Sequence, residues 1–369
     1  MTSRGATVDV PGRGACLLPS EFEHFTGALD DCPIETRDAR DLPSGIHAAL
    51  AAGGAVVLHG PYRYVDGIYR YCQRHERKLV PRSECAHIED RVQRSAAFTE
   101  IRLRKLHRLL VLARGEALVD IDDPPETTGL KDWLEGPTGE GTFLFPVRRL
   151  QRILTDMRRA REGIEVDMVG TITILPHVYV PADRSVPAMF ADARDMIEGR
   201  HVLDMGTGTG VLALLAARLG AVSVVATDSN PWAVRNARLN AERLGLDIDV
   251  RGPANIYEAV AGERFDTIMF NAPWIVGEPR TLYDTANFDP GQRVLAGFLR
   301  GADEHLAPDG ALLLQYSDVS QRRGDASLDR LGALVAESGM RVDNVRVLER
   351  VGRVLGAREG VRLYVLRRA

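Results

Sequence analysis

The chain has 369 residues, 45% apolar and 27% charged, with a formal net charge of −4. That length suits two domains and the composition is that of a globular protein, not a disordered or fibrous one. No apolar run approaches the roughly 20 residues that span a bilayer, Met1–Arg13 has no apolar leader core, and the acidic balance argues against a nucleic-acid binder.

Cytoplasmic residence is the resulting expectation. Cys16, Cys32, Cys72 and Cys85 lack the spacing of a disulfide framework and read as reduced thiols. Residues 1–45, rich in Gly, Pro and Asp, read as an irregular arm. Residues 46–60 read as a helix and then a strand, Ala55–His59. Phe98 to Leu112 places apolar residues at helical spacing. The stretch 62–114 carries 13 basic residues against 6 acidic ones, and 115–140 then turns acidic, which reads as solvated faces that pair rather than an RNA contact. Gly136–Thr142 lacks the Gly-Lys-Ser/Thr ending of a phosphate loop. Cys72-x-x-His75 and Cys85-x-His87 are too irregular for a zinc site, so no metal is assigned. Pro146 suits the first turn of a helix running to about Glu162, a candidate connector.

From Val166 the pattern becomes α/β. Thr171–Leu175 and His177–Val180 read as short strands. Further strands are expected at 201–205, 222–227, 248–251, 265–270, 310–316, 342–348 and 361–367. A helix is expected at Pro231–Leu244 with Ser229 or Asn230 as its N-cap. Such alternation implies a largely parallel sheet covered on both faces, with ligands at the carboxyl ends of its strands.

Three segments end at those carboxyl ends. His201–Gly210 runs from an apolar strand into Gly206-Thr207-Gly208-Thr209-Gly210, where glycine lets the backbone approach a ligand without a Cβ clash. Asp228, eighteen residues after Gly210, ends the next strand, suits both hydroxyls of a ribose, and is followed by Ser229. Asp204, just before the turn, would repel a pyrophosphate but suits the ammonium of an amino-acid-bearing nucleoside. Asn255, with Ile256 beside it, can meet an adenine amine. The third segment ends in Asn271-Ala272-Pro273-Trp274.

These motifs resemble those of class I S-adenosylmethionine (SAM) methyltransferases over residues 166–369. The Asn271–Trp274 corner is similar to the Asn-Pro-Pro-Tyr motif of amino-group and amide N-methyltransferases. Val178-Tyr-Val-Pro-Ala-Asp183 and Asn255-Ile256 are similar to segments of the glutamine methyltransferases that act on release factors. The resemblance implies SAM as cofactor, held by Asp204, Gly206, Thr207, Gly208, Gly210, Asp228, Ser229, Asn255, Ile256 and Asn271. It also implies a seven-stranded doubly wound sheet whose last strand is antiparallel. Ala272 and Trp274 depart from the family's proline and tyrosine.

The expected division is a 1–165 α+β acceptor-recognition domain and a 166–369 SAM-binding catalytic domain. An amide or guanidine nitrogen is a poor nucleophile because its lone pair is delocalised. The Asn271 side-chain oxygen and a backbone carbonyl near Ala272 can take its N–H groups and aim the lone pair, a positioning effect that can supply up to roughly 7–11 kcal/mol. Pro273 shapes the corner, and Trp274 can cover the acceptor's flat face. Acids follow at Glu278, Asp284 and Asp289, and a guanidinium would need carboxylates to hold it. A small amino-acid-like acceptor, arginine as first choice with Glu278 as its clamp, is therefore the expectation. A glutamine on a protein, an exocyclic amine of RNA and a non-catalytic SAM-binding regulator are the alternatives. Nothing in the sequence sets the oligomeric state.

Overall fold

A computed structural model of the chain describes residues 5–29, 32–89, 91–135, 141–179, 185–318, 320, 328–351 and 358–369. The turn expected at Gly136–Thr142 lies mostly outside them, as does Val180–Arg184 with Asp183. The chain forms two compact units, Met1–Arg158 and Arg159–Ala369.

The first unit is built on an eight-stranded sheet. β1 (Ala6–Val10) and β2 (Gly14–Leu18) form a hairpin, and β3 (Ile34–Asp38), β4 (Ala55–Pro61) and β5 (Leu109–Arg114) run parallel. β6 (Ala117–Val119) and β7 (Ile121–Asp122) are short additions, and β8 (Thr142–Pro146) joins β2 to β5. The described part of residues 1–45 is thus not an irregular arm. Val8, Val10, Cys16 and Leu18 are buried at every second position, a strand period that the surrounding Gly and Pro obscure. The helix predicted through Leu112 ends at His107, because Leu109–Ala113 pairs with β4 and β8 and is wholly buried. A continuous apolar run fits either period, and pairing decides it.

The second unit opens with the hairpin β9 (Ile164–Val166) and β10 (Gly170–Ile172). Its main sheet has seven strands: β11 (His201–Met205), β12 (Ser223–Thr227), β13 (Asp249–Arg251), β14 (Phe265–Asn271), β17 (Leu306–Ser317), β18 (Met340–Val351) and β19 (Arg358–Arg368). Their order is β13-β12-β11-β14-β17-β19-β18, and β19 is antiparallel to both neighbours. β15 (Ile275–Val276) and β16 (Phe288–Asp289) form a separate parallel pair. Alternate residues of the central strands enter two different apolar clusters, Val202 and Met269 one, Leu203 and Ile268 the other. Burial on both faces explains why these strands read as near-continuous apolar runs.

Beyond Ile172, the described residues 173–179 of the segments expected as strands at Thr171–Leu175 and His177–Val180 form no strand. Their backbone groups are taken by amides of the helix Pro231–Leu244 and its cap. Asn240 Oδ1 accepts from Thr173 N and Asn236 Oδ1 from Leu175 N, both at 2.9 Å. Asn230 Nδ2 donates to His177 O at 2.9 Å. With these hydrogen bonds made, the segment needs no strand partner.

Candidate active site

The carboxyl ends of β11, β12 and β14 open onto a cavity of about 450 Å³ lined entirely by residues of the second unit. Its floor is the glycine turn. Gly206 has φ 64°, and a Cβ there would lie 3.0 Å from the Phe270 ring. Gly210 has φ 87° and would press a Cβ to 3.1 Å from Ala237, so it serves helix packing and does not line the cavity. Gly208 N–H donates to Asp228 Oδ2 at 2.9 Å, and Asn230 N–H to Asp228 Oδ1 at 2.8 Å. Asn230, not Ser229, caps the helix Pro231–Leu244, accepting from Trp232 N–H.

Burial raises the Asp228 carboxyl above its ordinary range, opposed by the N–H groups of Asn230, Gly208 and Ser229. Each carboxylate oxygen has two lone-pair sites, so the three N–H groups leave acceptor capacity on the carboxylate for a ribose hydroxyl. Asp204 is fully buried behind the turn. Its Oδ2 accepts from Thr207 Oγ1 at 2.6 Å and Ala213 N at 3.0 Å, while Oδ1 has no partner. Burial pushes its carboxyl up to about 7, against those two hydrogen bonds. Asp204 does not line the cavity.

At the end of β14, Asn271 and Pro273 line the same cavity. Asn271 Oδ1 is buried with no hydrogen-bond partner among the described residues. Ala272 N–H donates to Gln315 O at 3.3 Å, holding the corner on β17. Ser320 Oγ donates to Trp274 O at 2.8 Å and accepts from Val276 N–H at 2.9 Å, fixing the chain as it leaves. The chain then loops out through a short helical turn, Tyr283–Ala286, and returns at β16. Thr285, Phe288 and Arg293 from this return reach the cavity wall, and no spacing in the sequence ties them to it.

The cavity brings together Gly206, Thr207, Gly208, Asp228, Ser229, Asn255, Ile256, Asn271 and Pro273 of the expected set. Trp274 is half-buried against both apolar clusters and is not in the wall. Glu278 is exposed and also outside it. Asp284 accepts from the N–H groups of Arg280 and Thr281 within a turn. Asp289 is buried, accepting from Val294 N at 2.9 Å and Leu295 N at 3.0 Å. The acids expected to clamp a guanidinium are thus engaged elsewhere or turned outward.

Residues fit for a SAM-sized group are present: an acid with free lone pairs, a glycine floor and an orphaned buried amide oxygen in one cavity. Residues 186–323 match the family described as Methyltransferase small domain. The release factor glutamine methyltransferase of Xylella fastidiosa (strain Temecula1) is 34% identical over 173 residues, covering 44% of this chain and 62% of its own. The ribosomal protein L11 methyltransferase of Symbiobacterium thermophilum is 46% identical over 101 residues, covering 27% of this chain and 32% of its own. Among solved structures, ribosomal protein L11 methylase from Lactobacillus delbrueckii subsp. bulgaricus aligns with a TM-score of 0.38 at 22% identity, over 55% of this chain and 98% of that one. The chain thus spans under two thirds of the length of the first of these curated relatives, and the likeness to class I SAM methyltransferases lies in its second unit.

Proposed function

We propose that the chain is a SAM-dependent N-methyltransferase whose acceptor is a side-chain amide of glutamine type, presented on a polypeptide. The carrying observation is the orphaned, buried Oδ1 of Asn271 at the cavity wall, in a corner spelled Asn271-Ala272-Pro273-Trp274. A buried acceptor atom without a donor is a standing cost of about 1–3 kcal/mol. Turning the amide about Cβ–Cγ so that Oδ1 faces the cavity lets an incoming N–H relieve it.

SAM, when bound, supplies an electrophilic methyl group on a sulfonium. Asp228 and the Gly206–Gly208 turn would hold its nucleoside end, and Asn255 and Ile256 would meet the base. Asn271 Oδ1 would accept one N–H of the acceptor, and a backbone carbonyl of the Asn271–Pro273 corner the other. Both contacts would draw electron density toward the nitrogen and fix its lone pair in one direction; as the N–CH3 bond formed the S–CH3 bond would break, the demethylated thioether would leave, and the nitrogen would give up one proton to solvent. The named relatives include release factor glutamine methyltransferases, which supports an amide. The exposure of Glu278 removes the clamp that a guanidine acceptor such as arginine requires.

The N-terminal unit, 1–165 in the sequence-based division, is assigned to acceptor recognition. Methyl transfer from labelled SAM to a release factor, free glutamine, free arginine and bulk RNA tests the assignment. Label on glutamine of the release factor is the expected result. Label confined to arginine or to RNA would overturn it.

A further inference from the structure

We propose that Gln315 is a positioning residue for Asn271: its side-chain carbonyl accepts from the Asn271 amide nitrogen, which turns Asn271 Oδ1 toward the acceptor. The inference rests on the amide-methyltransferase reading of the corner.

Asn271 and Gln315 are Cα partners on the parallel strands β14 and β17. Partners in register leave the same face of a sheet, with strands about 4.8 Å apart. Met269 and Leu313, two residues earlier on each strand, share one apolar cluster, so the common face is also seen in the packing. Gln315 is fully buried, and its Oε1 has no hydrogen-bond partner among the described residues. Its Nε2 donates to Met189 Sδ at 3.3 Å, which commits the nitrogen to the sulfur and leaves the oxygen on the other side. Its backbone oxygen already holds Ala272 N–H.

Two buried amide oxygens on adjacent residues, each without a donor, cannot satisfy one another. A half-turn of Asn271 about Cβ–Cγ, a broad two-fold torsion, exchanges its oxygen and nitrogen. Nδ2 then faces inward, where Gln315 Oε1 can accept it. Oδ1 faces the cavity, the only orientation in which Asn271 can accept an N–H. Gln315 thereby decides which end of Asn271 the acceptor meets.

The test uses the full chain, labelled with 15N-asparagine, and four variants: Gln315→Met, Gln315→Glu, Asn271→Ala and the double Asn271→Ala/Gln315→Met. Gln315→Met has the length of glutamine, no accepting oxygen and an apolar character suited to its site. Gln315→Glu keeps an accepting oxygen in either protonation state. Without any acceptor present, the Asn271 side-chain amide should exchange at least about tenfold faster in Gln315→Met, one hydrogen bond's worth, and at the native rate in Gln315→Glu. With a release factor as probe, Gln315→Met should lower kcat by about tenfold or more with the KM for SAM unchanged. In an Asn271→Ala background it should add nothing. Native exchange in Gln315→Met, or a rate loss that multiplies in full onto Asn271→Ala, would overturn the proposal. Native turnover of Asn271→Ala alone would instead sink the reading of the corner, and the exchange rates would still decide the role of Gln315.

Discussion

Asp228 Oδ2 accepts the backbone N–H of Gly208 at 2.9 Å, so the acid that ends β12 also braces the glycine turn that ends β11. Its other oxygen is held by Asn230 N–H, and Asp228 lines the cavity. On the proposed reading, replacing Asp228 by alanine would remove charge-assisted hydrogen bonding to a ribose, worth about 1.5–3 kcal/mol per bond. SAM and its demethylated product should both bind at least about 10²-fold more weakly to Asp228→Ala by calorimetry. Equal affinity in the variant would show that the nucleoside lies elsewhere.

Asn271 lines the cavity at the end of β14 and is assigned to the acceptor rather than to the cofactor's affinity. Asn271→Ala should therefore lower kcat by about 10²-fold or more, the scale of a lost positioning group. The dissociation constant for SAM should move by less than about threefold. A variant that turns over normally would make the corner a structural turn.

Glu278 is exposed and absent from the cavity wall. Glu278→Gln should leave both SAM affinity and methyl transfer within about twofold of native, as surface substitutions usually do. A selective loss of transfer in steady-state kinetics would restore this carboxylate, and with it a cationic acceptor.

Asp204 provides a pH test. Burial holds its carboxyl at about 7 in the folded chain, against an unfolded value near 3.9. Between those values the folded state keeps a proton that the unfolded state has lost, so stability falls as pH rises through that window. Below it no penalty exists, and above it the penalty is constant. The melting temperature of the native chain relative to Asp204→Asn should therefore drop from pH 4.5 to 7.5. A gap independent of pH would mean that the carboxyl titrates normally.

Asn240 holds the segment that precedes the main sheet through hydrogen bonds to Thr173 N, Thr173 O and Thr209 O at 2.9, 3.0 and 2.8 Å. Asn240→Leu leaves all three backbone groups without these partners in a buried setting. It should cost roughly 3 kcal/mol or more in urea unfolding. A loss under about 1 kcal/mol would show that water or main chain replaces the amide.

Much of the second unit is legible in the sequence, because its signals are local. Strand period, glycine at turns that need positive φ, and an acid at a strand tip are each written within a few consecutive residues. His201–Met205, Asp228 and Asn271 accordingly sit where their spacing places them. Other elements differ from the expectation where a local pattern is ambiguous. Leu109–Ala113 is apolar throughout and takes its strand form from pairing with β4 and β8. Thr173–His177 has strand-like residues, yet amides from a helix some 60 residues later satisfy its backbone.

By itself, then, the sequence determined the parallel sheet, the glycine turn and the residues gathered at its carboxyl edge, since these follow from short-range backbone geometry and burial. Tertiary structure alone decided which side chains face the cavity. Glu278 and Trp274 follow Asn271 closely in the chain, but the exit path pinned by Ser320 turns the first to solvent and packs the second into the core. Gln315 lies far along the chain from Asn271 and becomes its neighbour only through the β14–β17 register. Side-chain direction and cross-strand partnership depend on long-range packing, which no local pattern encodes.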